Sequence, residues 1–199
     1  MNYLAHLFLS RDYPDAVIGN FLADMMTASE IKLHADILYP GVRFHRKIDS
    51  FTDRHEVNRA MKRTLRPYFH KYAGVALDLY YDYILYQQWD RYSENDFRSF
   101  AQQQYTQIEN QMAVVPERLR SRINNMVTGD FLYRYTTIEG QLFAFSKMIQ
   151  RARFHTGFEN AVDVLELHKQ ELSEHFNQFF PDMIAEAEKL KAQKLKGER

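Results

Sequence analysis

Apolar residues recur at intervals of three or four positions along most of the chain, which is the spacing of one face of a helix. The C-terminal third shows the pattern well, with apolar side chains at Phe158, Ala161, Leu165, Leu172, Phe176 and Phe179. No run of strand length alternates apolar and polar residues. The pattern therefore predicts an all-α protein, an irregular multi-helix domain of about seven to nine helices.

Prolines and capping residues indicate where these helices begin. Proline is tolerated at a first helical position because its missing N–H would have no partner there. Four prolines precede segments of helical spacing and predict helix starts: Pro14, Pro67, Pro116 and Pro181. Ser93 with Asp96 is similar to a capping box and predicts a further start. No linker or repeat divides the chain, so we expect a single domain over residues 1–199.

Composition excludes several classes of function. The 26 basic and 26 acidic residues cancel, so no overall field favours binding to nucleic acid or to a membrane. The chain has no cysteine, which excludes disulfides, thiolate metal ligands and a cysteine nucleophile. No uncharged run approaches the roughly 20 residues of a membrane span. We therefore expect a cytoplasmic protein with no nucleic-acid and no membrane partner.

A histidine and two aspartates stand four residues apart in succession in the segment HRKIDSFTD, at His45, Asp49 and Asp53. On a helix these positions follow one face, where an imidazole and two carboxylates form a ligand set for a divalent metal. The alternative is a solvated charged face on which Asp49 pairs with Arg46 or Arg54. Both interpretations are consistent with the segment alone.

Two further pairs share the four-residue spacing. Asp78 and Asp82 lie in the apolar stripe of an aromatic-rich helix, where a buried carboxylate needs a cation, a proton or hydrogen bonds. The alternative is that the two aspartates are structural, either at a helix end or hydrogen-bonded to a tyrosine. Asn20 and Asp24 lie on the predicted helix that starts near Pro14, and Gly19 there would let a neighbouring backbone approach closely.

His6 is a lone histidine among leucines, a setting in which a structural role is more common than a ligand role. The chain has no GxGxxG, P-loop, HExxH or GxSxG motif, so dinucleotide binding, Walker-type NTP hydrolysis, zincin chemistry and the α/β-hydrolase elbow have no support. Histidine and aspartate side chains that converge in a helical bundle favour metal-assisted hydrolysis instead.

The order and spacing of these residues resemble those of the acyl carrier protein phosphodiesterases. The resemblance extends over nearly the whole chain and rests on MN-x-LAHL-x-L at Met1 to Leu9, GN-x-LAD at Gly19 to Asp24, HR-x-ID-x-x-TD at His45 to Asp53, and LD-x-x-x-D-x-x-L at Leu77 to Leu85. It implies an all-helical fold distantly similar to HD-type phosphohydrolases, and a manganese-dependent enzyme, with Mg²⁺ as the alternative ion. The implied substrate is holo acyl carrier protein, which loses its 4′-phosphopantetheine arm.

Nine residues occupy positions of these motifs, and we assign their roles from their chemistry. The expected metal ligands, or residues that orient the ligands, are Asp24, His45, Asp49, Asp53, Asp78 and Asp82. The expected catalytic residues are His6 as general acid, Arg46 as a phosphate-binding group, and Asn20. Tyr83 departs from the family, in which a histidine often follows the second aspartate of the fourth motif, although its hydroxyl can donate to a phosphate.

An acidic carrier protein calls for a basic surface despite the zero net charge. Residues 43–71 contain nine basic and three acidic residues, a local excess of six, and we expect the carrier to bind there. Two other functions stay open. One is an HD-like phosphohydrolase that acts on a small phosphodiester or nucleotide, and the other is a non-catalytic helical protein that binds an acidic partner.

Overall fold

The computed structural model describes residues 1–197, in which no β-strand occurs. The α-helices are α1 (Tyr3–Ser10), α2 (Pro14–Leu22), α3 (Ala28–Leu33), α4 (Ala35–Arg54), α5 (Glu56–Phe69), α6 (Ala73–Gln87), α7 (Trp89–Tyr92), α8 (Phe97–Asn110), α9 (Glu117–Thr128), α10 (Phe131–Arg134), α11 (Ile138–Arg151), α12 (Ala161–Leu167) and α13 (Lys169–Gly197). The all-α prediction is confirmed. The structure has more α-helices than the seven to nine expected, because four short ones connect longer ones: α3, α7, α10 and α12. None of the helices in residues 1–197 is both long enough and apolar enough to cross a membrane.

Proline positions confirm two of the predicted helix starts and contradict two. α2 begins at Pro14, and α9 begins directly after Pro116. Pro67 instead lies in the last turn of α5, and Pro181 lies inside α13. A proline inside a helix removes one backbone hydrogen bond. In α13 the apolar face continues through the proline, with buried side chains on both sides of it, and this burial outweighs the lost bond.

Two other boundaries differ from the expectation. Asp96, not Ser93, caps α8, because its carboxylate accepts a hydrogen bond of 3.0 Å from the backbone N–H of Ser99. The segment from Phe158 to Phe179 is not one helix, since it contains a 3₁₀ turn, α12 and the first part of α13. Apolar spacing continues across the junction, which is why the sequence pattern does not reveal it.

Two glycines bring the backbones of α2 and α4 into contact. Gly19 of α2 and Gly41 of α4 face each other, and a Cβ atom at either position would overlap backbone atoms of the opposite helix. The close approach expected at Gly19 is thus confirmed. As a result, the backbone oxygen of Asn20 on α2 lies 2.9 Å from the imidazole of His45 on α4.

α1 is almost completely buried between other helices. It packs against α2, α6 and α13, and its Phe8 ring contacts the rings of Trp89 and Phe180 at centroid distances of 5.5 and 5.6 Å. Because α2 also packs against α4, polar side chains from α1, α2, α4 and α6 meet inside a mainly apolar protein.

Candidate metal centre

Two imidazole rings from different helices form the middle of this polar cluster. His6 of α1 and His45 of α4 are buried and stacked, with 4.0 Å between ring centroids and 11° between ring planes. Nδ1 of His6 lies 2.9 Å from the side-chain oxygen of Asn20, and Nδ1 of His45 lies 2.9 Å from the backbone oxygen of Asn20. Since these oxygens only accept, each Nδ1 donates, and each Nε2 of a neutral ring keeps a free lone pair.

Asn20 is itself held by hydrogen bonds from its amide nitrogen. Nδ2 donates to the backbone oxygen of His6 at 2.8 Å and to Oγ of Ser10 at 3.1 Å. The side chain is 1% exposed. A buried amide whose donors and acceptor are all engaged fixes the orientation of both imidazoles.

Two carboxylates face the Nε2 atoms. Asp49 bridges the rings, with one oxygen 3.1 Å from Nε2 of His6 and the other 3.1 Å from Nε2 of His45. Asp24 lies 3.3 Å from Nε2 of His45, but that buried nitrogen has no well-aligned hydrogen bond to either carboxylate. Ligand atoms of His6, His45 and Asp49 all lie within 4.8 Å of one another, so these three side chains can bind one metal ion.

The stacked imidazoles differ in their affinity for protons. Burial, followed by repulsion from the charge on His45, lowers the pKa of His6 to about 4. Burial also disfavours a charge on His45, but the carboxylates of Asp24 and Asp49 outweigh it and raise the pKa of His45 to about 9. Contacts with both imidazoles likewise outweigh burial and lower the pKa of Asp49. At neutral pH and without a metal, the imidazole of His45 is therefore protonated and that of His6 is neutral.

Asp78 of α6 is linked to Asp49 of the cluster through the amino group of Met1. Oδ1 of Asp78 is 3.0 Å from that nitrogen, which in turn is 3.6 Å from Asp49. Burial raises the pKa of Asp78, and the charge on the Met1 amino group opposes the shift. Asp78 thus helps to hold the chain beside the cluster.

Asp53 and Arg46 point away from the imidazoles, although they belong to the same helix as His45. Asp53 is exposed and accepts a hydrogen bond of 2.6 Å from Nζ of Lys62. Arg46 is also exposed and does not line the cavity into which the cluster opens. The structure does not bring either residue to the site predicted for it from the sequence.

Asp82 supports the N-terminus of α1 instead of facing the imidazoles. Its two oxygens accept hydrogen bonds from the backbone N–H groups of Leu4 (2.8 Å) and Ala5 (3.0 Å). These groups belong to the first turn of α1, where a helix offers them no acceptor, and the side chain of Asn2 makes no capping bond. Burial raises the pKa of Asp82 to about 7, a shift that these two hydrogen bonds oppose. Asp82 therefore positions α1, and with it His6.

Asp82→Ala is expected to lower the free energy of unfolding by about 2 kcal/mol, because two buried N–H groups of α1 lose their acceptors. The melting temperature, followed by circular dichroism, should fall by about 4–8 °C. Asp53→Ala is the matched control, since Asp53 makes only an exposed contact that contributes little. Equal melting temperatures for the two variants would contradict the role assigned to Asp82.

The cluster opens into a cavity of about 390 Å³ that is built from two parts of the chain. His6, Asn20, Asp24 and His45 line it from the N-terminal helices. Residues of α9 and α11 line it as well, and the basic ones are Arg122, Lys147 and Arg151. None of these three residues was among the site residues predicted from the sequence. The sequence feature that could have indicated them is a local excess of basic residues. Residues 118–129 and 140–158 each contain three lysines or arginines and no acidic residue.

Comparison with known proteins identifies the family. A sequence model of the family described as acyl carrier protein phosphodiesterase matches residues 1–183. The chain belongs to this family. Relatives of that name include proteins from Pectobacterium atrosepticum, 25% identical over 185 residues, and Photorhabdus laumondii, 26% identical over 190 residues. The two matches cover 92% and 94% of this chain, and 96% of each relative.

The predicted membership of the acyl carrier protein phosphodiesterases is thus confirmed. No solved structure matches the chain, so the expected distant similarity to HD-type phosphohydrolases stays a prediction. Tyr83, the departure from the family pattern, is 5% exposed in the apolar core and is not among the residues that line the cavity. The departure therefore affects the packing of α6 rather than the imidazoles and carboxylates.

Proposed function

We propose that this chain hydrolyses the phosphodiester bond between 4′-phosphopantetheine and the serine of holo acyl carrier protein, with a divalent cation held by the imidazole–carboxylate cluster. The observation that carries the proposal is the pair of buried, stacked imidazoles at motif positions of the family, both oriented by Asn20 so that Nε2 faces Asp49. The products would be apo carrier protein and free 4′-phosphopantetheine.

The donor set fits a divalent cation. The residues that would hold it are His6, His45 and Asp49. The buried Nε2 of His45 has no well-aligned hydrogen bond, so it can bind a cation once the ring has lost its proton. Two imidazoles with a carboxylate suit a divalent transition-metal ion such as Mn²⁺, whereas Mg²⁺ usually binds oxygen ligands alone. When bound, such an ion lowers the pKa of water and neutralises charge on phosphate oxygens.

The chain's own side chains can activate water and hold the substrate. The Asp24 side chain is 76% exposed, and its contact with His45 lowers its pKa, so its carboxylate is ionised and accessible from the cavity. We assign it the role of accepting the proton of the attacking water. Arg122 and Lys147 line the same cavity, where they can bind the phosphate oxygens.

His6 receives a role different from the general acid that we expected from the sequence. With a pKa lowered to about 4, its ring is neutral at neutral pH. The ring then has a single N–H, at Nδ1, which donates a hydrogen bond to the side-chain oxygen of Asn20. A ring in that state offers a lone pair at Nε2 rather than a proton. We therefore assign His6 to the cation-binding set.

Incubation with holo acyl carrier protein and Mn²⁺, followed by mass spectrometry of the carrier, tests the proposal. We expect the carrier to lose the mass of the phosphopantetheine arm, and a chelator to stop the loss. Hydrolysis of a small phosphodiester without hydrolysis of the carrier would support the small-substrate phosphohydrolase instead. Binding of the carrier without cleavage would support a non-catalytic function.

Binding of Mn²⁺ is expected to release about one proton at pH 7, because a protonated imidazole cannot be a ligand. His45, whose pKa is raised to about 9, must lose its proton, whereas His6, whose pKa is lowered to about 4, has none to lose. The apparent affinity should therefore increase about tenfold for each pH unit between about pH 5 and pH 8. Calorimetry in buffers of different ionisation enthalpy counts the protons, and a count of zero would contradict the assignment of His45.

A further inference from the structure

A second groove, of about 430 Å³, adjoins the cavity that contains the imidazole–carboxylate cluster. Met148 and Arg151 line both, so the two form one continuous concave surface along the C-terminal end of α11. Beyond them, the groove is lined by residues of the segment after α11 and by the start of α6. A molecule that reaches the cluster with an extended arm can rest its body against this groove.

The groove is strongly basic. Lys71, Arg151 and Arg153 line it, and no acidic residue does. Within the described residues, no ion pair involves any of these three side chains, in contrast to Lys62, which pairs with Asp53. Their charges are therefore available to an acidic partner.

The same groove exposes apolar side chains. Phe154 is 64% exposed and Val75 is 38% exposed, although both are large and apolar. Nζ of Lys71 lies 3.5 Å from the centroid of the Phe154 ring, so cationic and apolar groups alternate on one surface. An apolar centre with a rim of unpaired cations is typical of a surface that binds a protein with an acidic face.

We propose that this groove is the docking surface for the acidic face of the carrier protein whose phosphopantetheine arm enters the adjoining cavity, an inference that rests on the proposed function. It is narrower than the patch expected over residues 43–71, which stays a prediction. Of that patch, Lys62 is paired, and Arg43 and Lys47 line a separate groove that also contains Asp36. Lys71 is the member of the patch that faces the docking surface.

Charge reversal on the groove tests the proposal. In Lys71→Glu/Arg153→Glu, KM for the holo carrier is expected to increase at least tenfold, while kcat changes less than threefold, because neither side chain lines the cavity that holds the cluster. Lys71→Gln/Arg153→Gln should give a smaller increase in KM. The matched control is Arg43→Glu/Lys47→Glu, which makes the same charge change in the other groove and should change KM less than twofold.

Direct binding separates this proposal from the proposed function. Fluorescence anisotropy with labelled holo carrier, in a His45→Ala background that does not cleave it, should show weaker binding for the groove variant and wild-type binding for the control. Wild-type carrier hydrolysis with unchanged KM in the groove variant would overturn the docking surface alone. Equal increases in KM for both double variants would also overturn it, because the carrier would then be attracted by the overall charge of the protein and not by this groove. Binding that depends on the groove, without any hydrolysis, would support the surface and reject the proposed function.

Discussion

Alanine in place of His45 is expected to lower kcat/KM for the holo carrier about a thousandfold or more, with the helical circular dichroism retained. A cation held at the cluster would supply several kcal/mol of transition-state stabilisation, and each 1.36 kcal/mol is worth about a factor of ten. Asn20→Ala should lower kcat/KM by about 10–100-fold, because Asn20 orients the imidazoles without binding the cation. Initial rates of arm release, measured by mass spectrometry at saturating Mn²⁺, check both values.

His155→Ala is the control for a histidine outside the cluster. His155 is exposed and has a hydrogen bond of 2.7 Å to Glu159, so its removal should leave the rate unchanged. A rate above one tenth of the wild-type rate in His45→Ala would exclude the cluster as the reaction site. Titration of Mn²⁺ binding in the same variant shows whether the lost rate comes from a lost cation.

Gly41→Ala is expected to lower the free energy of unfolding by about 3 kcal/mol and to weaken Mn²⁺ binding. The new Cβ atom would overlap backbone atoms of Ala16 and Asn20, which cannot rotate away as a side chain can. α2 and α4 must then separate, and Asn20 moves relative to His45. The melting temperature should fall by about 6–12 °C.

Gly74→Ala is the matched control, since it places the same methyl group in another helix. Its Cβ would meet only the flexible end of Lys62, at 3.6 Å, which is an ordinary contact. Because alanine has the higher helix propensity, the melting temperature should stay the same or increase. A Gly41→Ala variant as stable as Gly74→Ala would show that the contact of α2 with α4 does not need glycine.

Local spacing predicted the parts of the site that depend on one helix or on one close approach. Positions i and i+4 of α4 place His45 and Asp49 on one face, and Gly19 indicated that a second backbone comes near Asn20. The same rule failed for Asp53. A helix turns 100° per residue, so Asp49 lies about 40° around α4 from His45, whereas Asp53 lies about 80° from it. Asp53 therefore points away from the imidazoles and pairs with Lys62.

Tertiary placement decided what local spacing could not. Asp78 and Asp82 are one turn apart on α6, and a buried carboxylate there needed some compensation. Asp78 pairs with the amino group of Met1. Asp82 instead accepts hydrogen bonds from the backbone N–H groups of Leu4 and Ala5, more than seventy residues away along the chain. No pattern within α6 distinguishes these two outcomes. The basic wall of the cavity was missed for a related reason, since α9 and α11 carry basic residues but none of the family's motifs.

The cavity combines two stretches of the chain that contribute different chemical groups. All of its imidazoles and acidic side chains come from the first 82 residues, whereas its basic wall comes from α9 and α11. The cluster and the basic wall are thus encoded in separate stretches of the chain. Substitutions on α9 and α11 therefore change the charge of the cavity wall while they leave the imidazole–carboxylate cluster intact.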